Sequence, residues 1–235
     1  MQRVNTGVPG LDEILNGGYR RNRILTITGN AGCGKTTFVL QYLWAGATKY
    51  NEPGVFVTFE EEKKLLFENV GAFGWELEKL EAEHKLEVFE YPPYEVERFV
   101  NQESIIRDVI DEIGAKRMVV DSITSLGVSY SDEHERRYEL VKLLTKFRKW
   151  NCTMLITSES EHMSDDLTIR ARFDVDTLTD GIIYLYNIRK GDVRQRALEV
   201  IKMRGTNFEQ KICPMRFMAT GLAVYPTEQV YTQEL

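Results

Sequence analysis

The stretch RILTITGNAGCGKTT, Arg23 to Thr37, constrains this chain more than any other. A β-prone run containing Ile24, Leu25 and Ile27 leads into Gly29-Asn30-Ala31-Gly32-Cys33-Gly34-Lys35-Thr36, which fits the P-loop pattern G-x-x-x-x-G-K-[ST]. Phe38, Val39, Tyr42 and Leu43 follow at the spacing of one helical face, so the loop joins a strand to a helix. Glycines let the backbone curl until successive N–H groups and the helix N-terminus point at one anion. Lys35 adds a mobile cation for β- and γ-phosphates, and the Thr36 hydroxyl is placed to ligate Mg2+. Gly29 through Gly34, Lys35, Thr36 and Thr37 are therefore the candidate nucleotide-binding residues. Given glycine at roughly 7% of average composition, the specified positions match by chance about 0.01 times in a chain of this length. An incidental glycine-rich turn is a poor account of them.

The rest of the composition agrees with one α/β domain, 1–235, built around that loop. A chain of 235 residues that is 43% hydrophobic and 28% charged can bury a full core. The first residues, MQRVNTGVPGLDE, hold no apolar signal region, and no later segment approaches the ~20 apolar residues of a membrane span. Cys33, Cys152 and Cys213 are odd in number and widely spaced, which argues against a disulfide framework and a zinc site. The expected location is the cytoplasm. A net charge of -6 gives no general attraction to nucleic acid.

In chain order, Leu11 to Leu15 reads as a short amphipathic segment closed by Gly17-Gly18. After the P-loop helix, Gly34 to Lys49, the nearly continuous apolar run Val55 to Phe59 has the character of a parallel strand covered on both faces, and it ends in Glu60-Glu61-Glu62. Carboxylates at the carboxyl end of such a strand are candidates for chemistry, because ligands of open α/β sheets bind there. A charged start to the next helix accounts for Glu62. The spacing predicts a helix over Leu65 to Phe73, a strand over Leu86 to Phe89, a helix over Ser104 to Ile113 and a second buried strand, Arg117 to Asp121. That strand delivers Asp121 at its carboxyl end, where with Thr36 it can hold the Mg2+ of a nucleotide. Asp132 to Trp150 is a helix and Cys152 to Thr157 another strand, with Ser158-Glu159 at its phosphate side. A long irregular stretch, Ser160 to Thr179, precedes a strand starting at Gly181, and the segments Ala197 to Arg204, Ile212 to Met218 and Leu222 to Tyr225 have no helices between them. They predict antiparallel strands appended to a parallel sheet.

These motifs carry a resemblance over nearly the whole chain. VNTGVPGLDE at Val4 to Glu13, the P-loop, GVFVTFEE at Gly54 to Glu61, FGWELEKL at Phe73 to Leu80, VVDS at Val119 to Ser122 and IKMRGT at Ile201 to Thr206 together resemble the KaiC-like branch of the RecA-superfamily ATPases. The resemblance implies a RecA-like P-loop NTPase core, α/β, with a mostly parallel central sheet of five parallel strands, flanked by helices, and C-terminal antiparallel strands. It implies ATP and Mg2+ as ligands, ATP hydrolysis as the activity, and a homo-oligomeric, hexameric ring with ATP between neighbours. Glu60 matches the carboxylate that polarises the attacking water, with Glu61 beside it, and Lys202 and Arg204 match the pair that reaches the neighbour's γ-phosphate. Residues two apart on a strand share a face, so Lys202 and Arg204 are expected to project together with Ile201 and Met203 on the other side. The chain departs from the family at Gly18-Tyr19-Arg20-Arg21-Asn22, where Gly-Gly is usually followed by an apolar residue, Pro and a later Gly. It also has one P-loop where the clock proteins of the family have tandem domains, so a clock role and autophosphorylation are not implied.

Three function classes fit: an ATP-hydrolysing ring with a regulatory or signalling output, a recombinase-like DNA-binding ATPase, and a protein that binds ATP mainly to assemble. DNA would thread past loops equivalent to Ser122 to Arg137 and Ser160 to Thr179. The second carries five acidic residues, Glu161, Asp165, Asp166, Asp174 and Asp176, against two basic ones, Arg170 and Arg172, an excess of negative charge that repels phosphates. DNA binding is thus the second choice. Glu60 and Glu61 favour turnover over mere assembly.

Overall fold

The computed structural model describes residues 2–92, 94–161, 170–190 and 192–230. Strands β1 (Arg3–Val4) and β2 (Tyr19–Arg20) form a small antiparallel pair around helix α1 (Leu11–Ile14). Then follow β3 (Ile24–Gly29), α2 (Lys35–Lys49), β4 (Gly54–Thr58), α3 (Lys63–Gly71), α4 (Leu77–Ala82), β5 (Leu86–Glu90), α5 (Val96–Asn101), α6 (Glu103–Glu112), β6 (Arg117–Asp121), α7 (Ile123–Val128) and α8 (Glu133–Phe147). The chain continues with β7 (Thr153–Glu161), β8 (Arg170–Ala171), α9 (Val175–Leu178), β9 (Gly181–Lys190), β10 (Val193–Met203), β11 (Ile212–Met218) and β12 (Gly221–Val224).

One mixed sheet runs in the order β12-β11-β10-β9-β3-β7-β6-β4-β5, with β8 paired to the end of β7. The strands β9, β3, β7, β6, β4 and β5 are mutually parallel, so the parallel region has six strands where five are expected. The last three strands are antiparallel, as their lack of intervening helices predicts. Alternation along the buried strands sorts side chains onto two faces. Phe56, Val119 and Leu155 face a core shared with Phe38, Tyr42 and Leu43 of α2. Val55, Val57, Met118, Val120, Met154 and Ile156 face a second core with Phe99, Ile106, Leu126, Leu140 and Phe147 of helices α5 to α8. Because both faces are covered, these strands carry apolar residues at nearly every position.

The stretch Ser122 to Arg137 is mostly helix, α7 and the start of α8, and not an open loop; Ser122 caps α7 by accepting Ser125 N–H, and Asp132 caps α8 by accepting Glu135 N–H. In the stretch Ser160 to Thr179, residues 162–169, with Asp165 and Asp166, lie outside the described residues, as do the side chains of Glu161 and Arg170. The described part is structured: β8 pairs with Ser160 and Glu161, and a turn of α9 follows. No helix among the described residues is long and apolar enough to cross a membrane.

At the amino end of the sheet an ion cluster ties α2 to β6. Arg117 is fully buried, its guanidinium 4.5 Å from the Tyr42 ring centroid and 5.3 Å from that of Tyr50. Its Nε and Nη2 donate to Glu52 Oε2 at 2.9 and 2.7 Å, and its Nη1 donates to the Tyr42 carbonyl at 2.7 Å. Arg21 Nη2 completes the group on Glu52 Oε1 at 2.6 Å, which gives one of the basic residues of the divergent turn a structural partner.

Candidate nucleotide site

The P-loop lies at the carboxyl end of β3, between β7 and β9, where an open parallel sheet presents its ligand crevice. Gly32 and Gly34 have φ of 74° and 103°, left-handed values that a side chain resists, and Gly34 is the N-cap of α2. The dipole of a 15-residue helix therefore starts at the loop. Lys35 Nζ arches back over it, donating to the carbonyls of Gly29 at 3.0 Å and Asn30 at 3.3 Å. Ala31 is exposed, and Thr37 lies half-buried in the first turn of α2. The Cys33 side chain turns into the core, where burial raises its thiol pKa, and its N–H closes the loop on the Asn30 carbonyl at 3.3 Å. Ser160 Oγ donates to Asn30 Oδ1 at 2.5 Å, so the end of β7 does reach the phosphate side.

Asp121 ends β6 on the same carboxyl side of the sheet. Its Oδ2 accepts the Thr36 hydroxyl at 2.8 Å, and its Oδ1 accepts the hydroxyl of buried Thr157 on β7. Burial is the main cause that pushes the Asp121 pKa up, to about 6; the two hydroxyls and Lys35 oppose the rise, and the Glu60 carboxylate adds to it. Two hard oxygen groups, one a carboxylate whose charge burial leaves poorly solvated, suit Mg2+, which binds through one or two protein oxygens together with phosphate and water. Thr36 and Asp121 are the residues that would hold it.

Glu60 follows β4 on a turn fixed by Thr58, whose Oγ1 accepts the N–H of Glu60 at 3.3 Å and of Glu61 at 3.2 Å. The Glu60 side chain leans toward the end of β6, where Ser122 Oγ donates to its Oε1. Glu61 turns the other way, its Oε2 accepting Asn69 Nδ2 at 3.4 Å. Glu62 is the N-cap of α3 but makes no side-chain cap bond; the Lys63 N–H goes instead to Glu90 Oε2 at 3.0 Å. Of the three carboxylates, Glu60 is the one joined to the Asp121–Ser122 corner.

Lys202 and Arg204 lie elsewhere. The antiparallel strand β10 ends where β9 begins, with Met203 opposite Gly181, and Gly181 is level with Leu25 at the start of β3. The P-loop end of β3 is level with Leu185, about 13 Å further along at ~3.3 Å per residue. A bulge between Val200 and Lys202 leaves Ile201 as the extra residue. Ile201 is consequently exposed and does not share the inward face of Met203, contrary to the simple alternation expected. Lys202 Nζ donates to the carbonyls of Asp176 at 2.7 Å and Thr179 at 2.8 Å, and Arg204 is exposed. Burial and the nearby Arg204 lower the Lys202 pKa.

Three contacts of the candidate site are not marked as such in the sequence: Ser122, Thr157 and Arg196, which donates to the Gly32 carbonyl at 3.3 Å and lies 4.8 Å over the Phe217 ring. Ser122 had a signal, its place in VVDS directly after Asp121. Thr157 had only its place at the end of an apolar strand, and Arg196 had none.

Known proteins place this geometry. A KaiC-like protein of Pyrococcus horikoshii has a crystal structure that superposes with a TM-score of 0.85 at 34% identity, covering 96% of this chain and 99% of that one. A UPF0273 protein of Methanocaldococcus jannaschii is 33% identical over 244 residues, 96% of this chain and 97% of the relative. The circadian clock oscillator protein KaiC of Parathermosynechococcus lividus is 32% identical over 232 residues, which cover 95% of this chain and 42% of that protein, so the chain spans less than half the length of this clock relative. The family model described as "ATPase: KaiC" matches residues 4–229. By that match and by its full-length relative, this chain belongs to the KaiC ATPase family.

Proposed function

We propose that this chain binds ATP with Mg2+ in its P-loop and hydrolyses it at the interfaces of a ring-shaped oligomer, the cycle driving a regulatory or signalling change of conformation. The observation that carries the reading is the convergence of Lys35, Thr36, Asp121 and Glu60 at the carboxyl end of the parallel strands while Arg204 follows Met203 at their amino end. ATP phosphates entering the loop meet the α2 N-terminus and take the Lys35 ammonium from neutral carbonyls, exchanging ordinary hydrogen bonds for charge-assisted ones. Mg2+ held by Thr36 and Asp121 supplies charge neutralisation on the phosphate oxygens. Glu60 orients and polarises the attacking water. An arginine is worth roughly 10³ to 10⁵ in rate in related phosphoryl transfers, and Arg204 follows Met203 at the end of the parallel strands opposite its own loop. A neighbour's Arg204, with Lys202 beside it, completes the site, which is the argument for a homo-oligomer.

Sedimentation velocity with and without ATP and Mg2+, run alongside phosphate release, tests assembly and turnover together. Hydrolysis should appear only where the assembled species appears. Full turnover by a species that sediments as one chain would remove the interface from the reading.

A further inference from the structure

We infer that Ser122 and Ser125 are positioning residues that aim the Glu60 carboxylate; the inference rests on the assignment of Glu60 as the water-orienting group. Glu60 is exposed and sits on a turn, so its backbone anchor at Thr58 leaves three side-chain torsions unset. Something else must hold the carboxylate if one of its oxygens is to meet a water in line with phosphorus. Ser122, which is 1% exposed, is the group in place to do so.

The Ser122 hydroxyl has two acceptors within reach, the Ser125 oxygen and the Glu60 carboxylate, and the carboxylate is both the closer and, being charged, the stronger. The Ser122 oxygen accepts the Ser125 N–H at 3.3 Å as the cap of α7, and Ser125 Oγ lies 3.2 Å away. A serine hydroxyl has one proton, and that of Ser122 is directed to Glu60 Oε1. Ser125 Oγ is itself 3.4 Å from the same Oε1. When the Ser125 hydroxyl donates within this cluster, its proton goes to Oε1 or to the oxygen that donates to it. Both serines thus address one carboxylate oxygen, which leaves Oε2 to the water. The rotor of Ser122 is fixed by the helix it caps, so the aim of Glu60 is tied to rigid structure at the end of β6, one residue from Asp121.

Removing this support should lower kcat and spare nucleotide binding, because among the described residues the hydrogen bonds of the two serine side chains go to Glu60 and within α7, not to the P-loop. Ser122→Ala should lower kcat about 10- to 100-fold, the scale on which a misplaced catalytic group acts, with the dissociation constant of ATP unchanged. Ser122→Thr, which keeps the hydroxyl and the cap, should restore most of the rate. Ser122→Gly, compatible with an N-cap, should behave like Ser122→Ala and guards against a folding defect in the latter. The decisive comparison is with Glu60→Gln. If the serine works through Glu60, adding Ser122→Ala to Glu60→Gln costs no further rate. Parental kcat in both Ser122→Ala and Ser122→Gly, a parallel loss of ATP affinity, or the same fold-loss in the Glu60→Gln background as in the parent would each overturn the positioning role. Parental turnover by Glu60→Gln alone would overturn the assignment of Glu60 itself, so the two failures are told apart.

Discussion

The Thr36 hydroxyl donates to Asp121 Oδ2 across 2.8 Å, joining the first turn of α2 to the end of β6 over 85 positions of sequence. The contact brings together the two oxygen groups proposed to hold Mg2+, and it forms because β3 and β6 are both neighbours of β7 in the sheet. Thr36→Val keeps the branched shape and deletes the hydroxyl. The expected outcome is nucleotide binding that no longer responds to metal: ATP-induced stabilisation of the variant in Mg2+ should fall to the level the parent shows with chelator. A variant that keeps the parental difference between Mg2+ and chelator would take Thr36 out of the metal site.

Lys35 contributes charge to the loop and nothing to the core. Lys35→Ala should therefore fold and melt as the parent does without nucleotide, yet lose the nucleotide shift. Ligand at 100 times its dissociation constant stabilises a protein by about 2.7 kcal/mol, and that is the stabilisation expected to vanish. Thermal melts with and without ATP measure it, and an unchanged shift would contradict the assignment.

At the far end of the sheet, Arg117 makes a different kind of prediction. It is fully buried and bonded to Glu52, so Arg117→Met strands a carboxylate that is 11% exposed, with Arg21 as its remaining partner. Breaking a buried pair from one side costs about 3–5 kcal/mol, whereas replacing both partners by apolar groups is often close to neutral. Urea denaturation should show the large loss for Arg117→Met and a partial recovery when Glu52→Leu is added. A loss under about 1 kcal/mol, on the scale of an exposed pair, would mean the cluster is not desolvated as the structure has it.

How far the sequence could be read follows from the range of each interaction. Val55 to Thr58 and Arg117 to Asp121 were legible as strands because burial on both faces leaves a nearly continuous apolar run, Val55 to Val57 and Met118 to Val120. The P-loop was legible because its chemistry is contiguous. Helices α4 and α5 were not: each has six residues, too few to show a helical period among Glu, Lys and Arg. Arg117 heads its strand in sequence like any boundary residue, and only folding brings Glu52 to it across 65 positions. The bulge at Ile201 has no glycine to announce it. The separation of Arg204 from its own P-loop depends on strand order and direction, which local pattern does not encode.

Glu60 and Glu61 are adjacent in sequence and divergent in space, one bonded to Ser122 and the other facing Asn69. Glu60→Gln should bind ATP and assemble but release phosphate slowly, since Gln keeps size and loses the charge that polarises water. Glu61→Gln should stay near the parental rate. The reverse order of rates would move the catalytic role to Glu61.

The position of Arg204 leads to a test of hydrolysis in trans. Within one chain Met203 pairs with Gly181, at the opposite end of the parallel strands from the loop that follows Gly29. A side chain at that end can serve a P-loop only by reaching a neighbour's. Arg204→Ala should then bind ATP in its own loop and remain a poor catalyst for the next subunit, while Glu60→Gln should carry an intact arginine beside its own defective carboxylate. Mixing the two creates interfaces that combine the good Glu60 of one chain with the good Arg204 of another, and these should recover turnover. If both groups acted on one site from one chain, every protomer in the mixture would stay defective. Labelled protomers must first establish that subunits exchange, because sealed rings would hide complementation. Phosphate release from exchanged mixtures that never exceeds the sum of the two variants alone would rule out the trans site and, with it, the need for a ring in the chemistry.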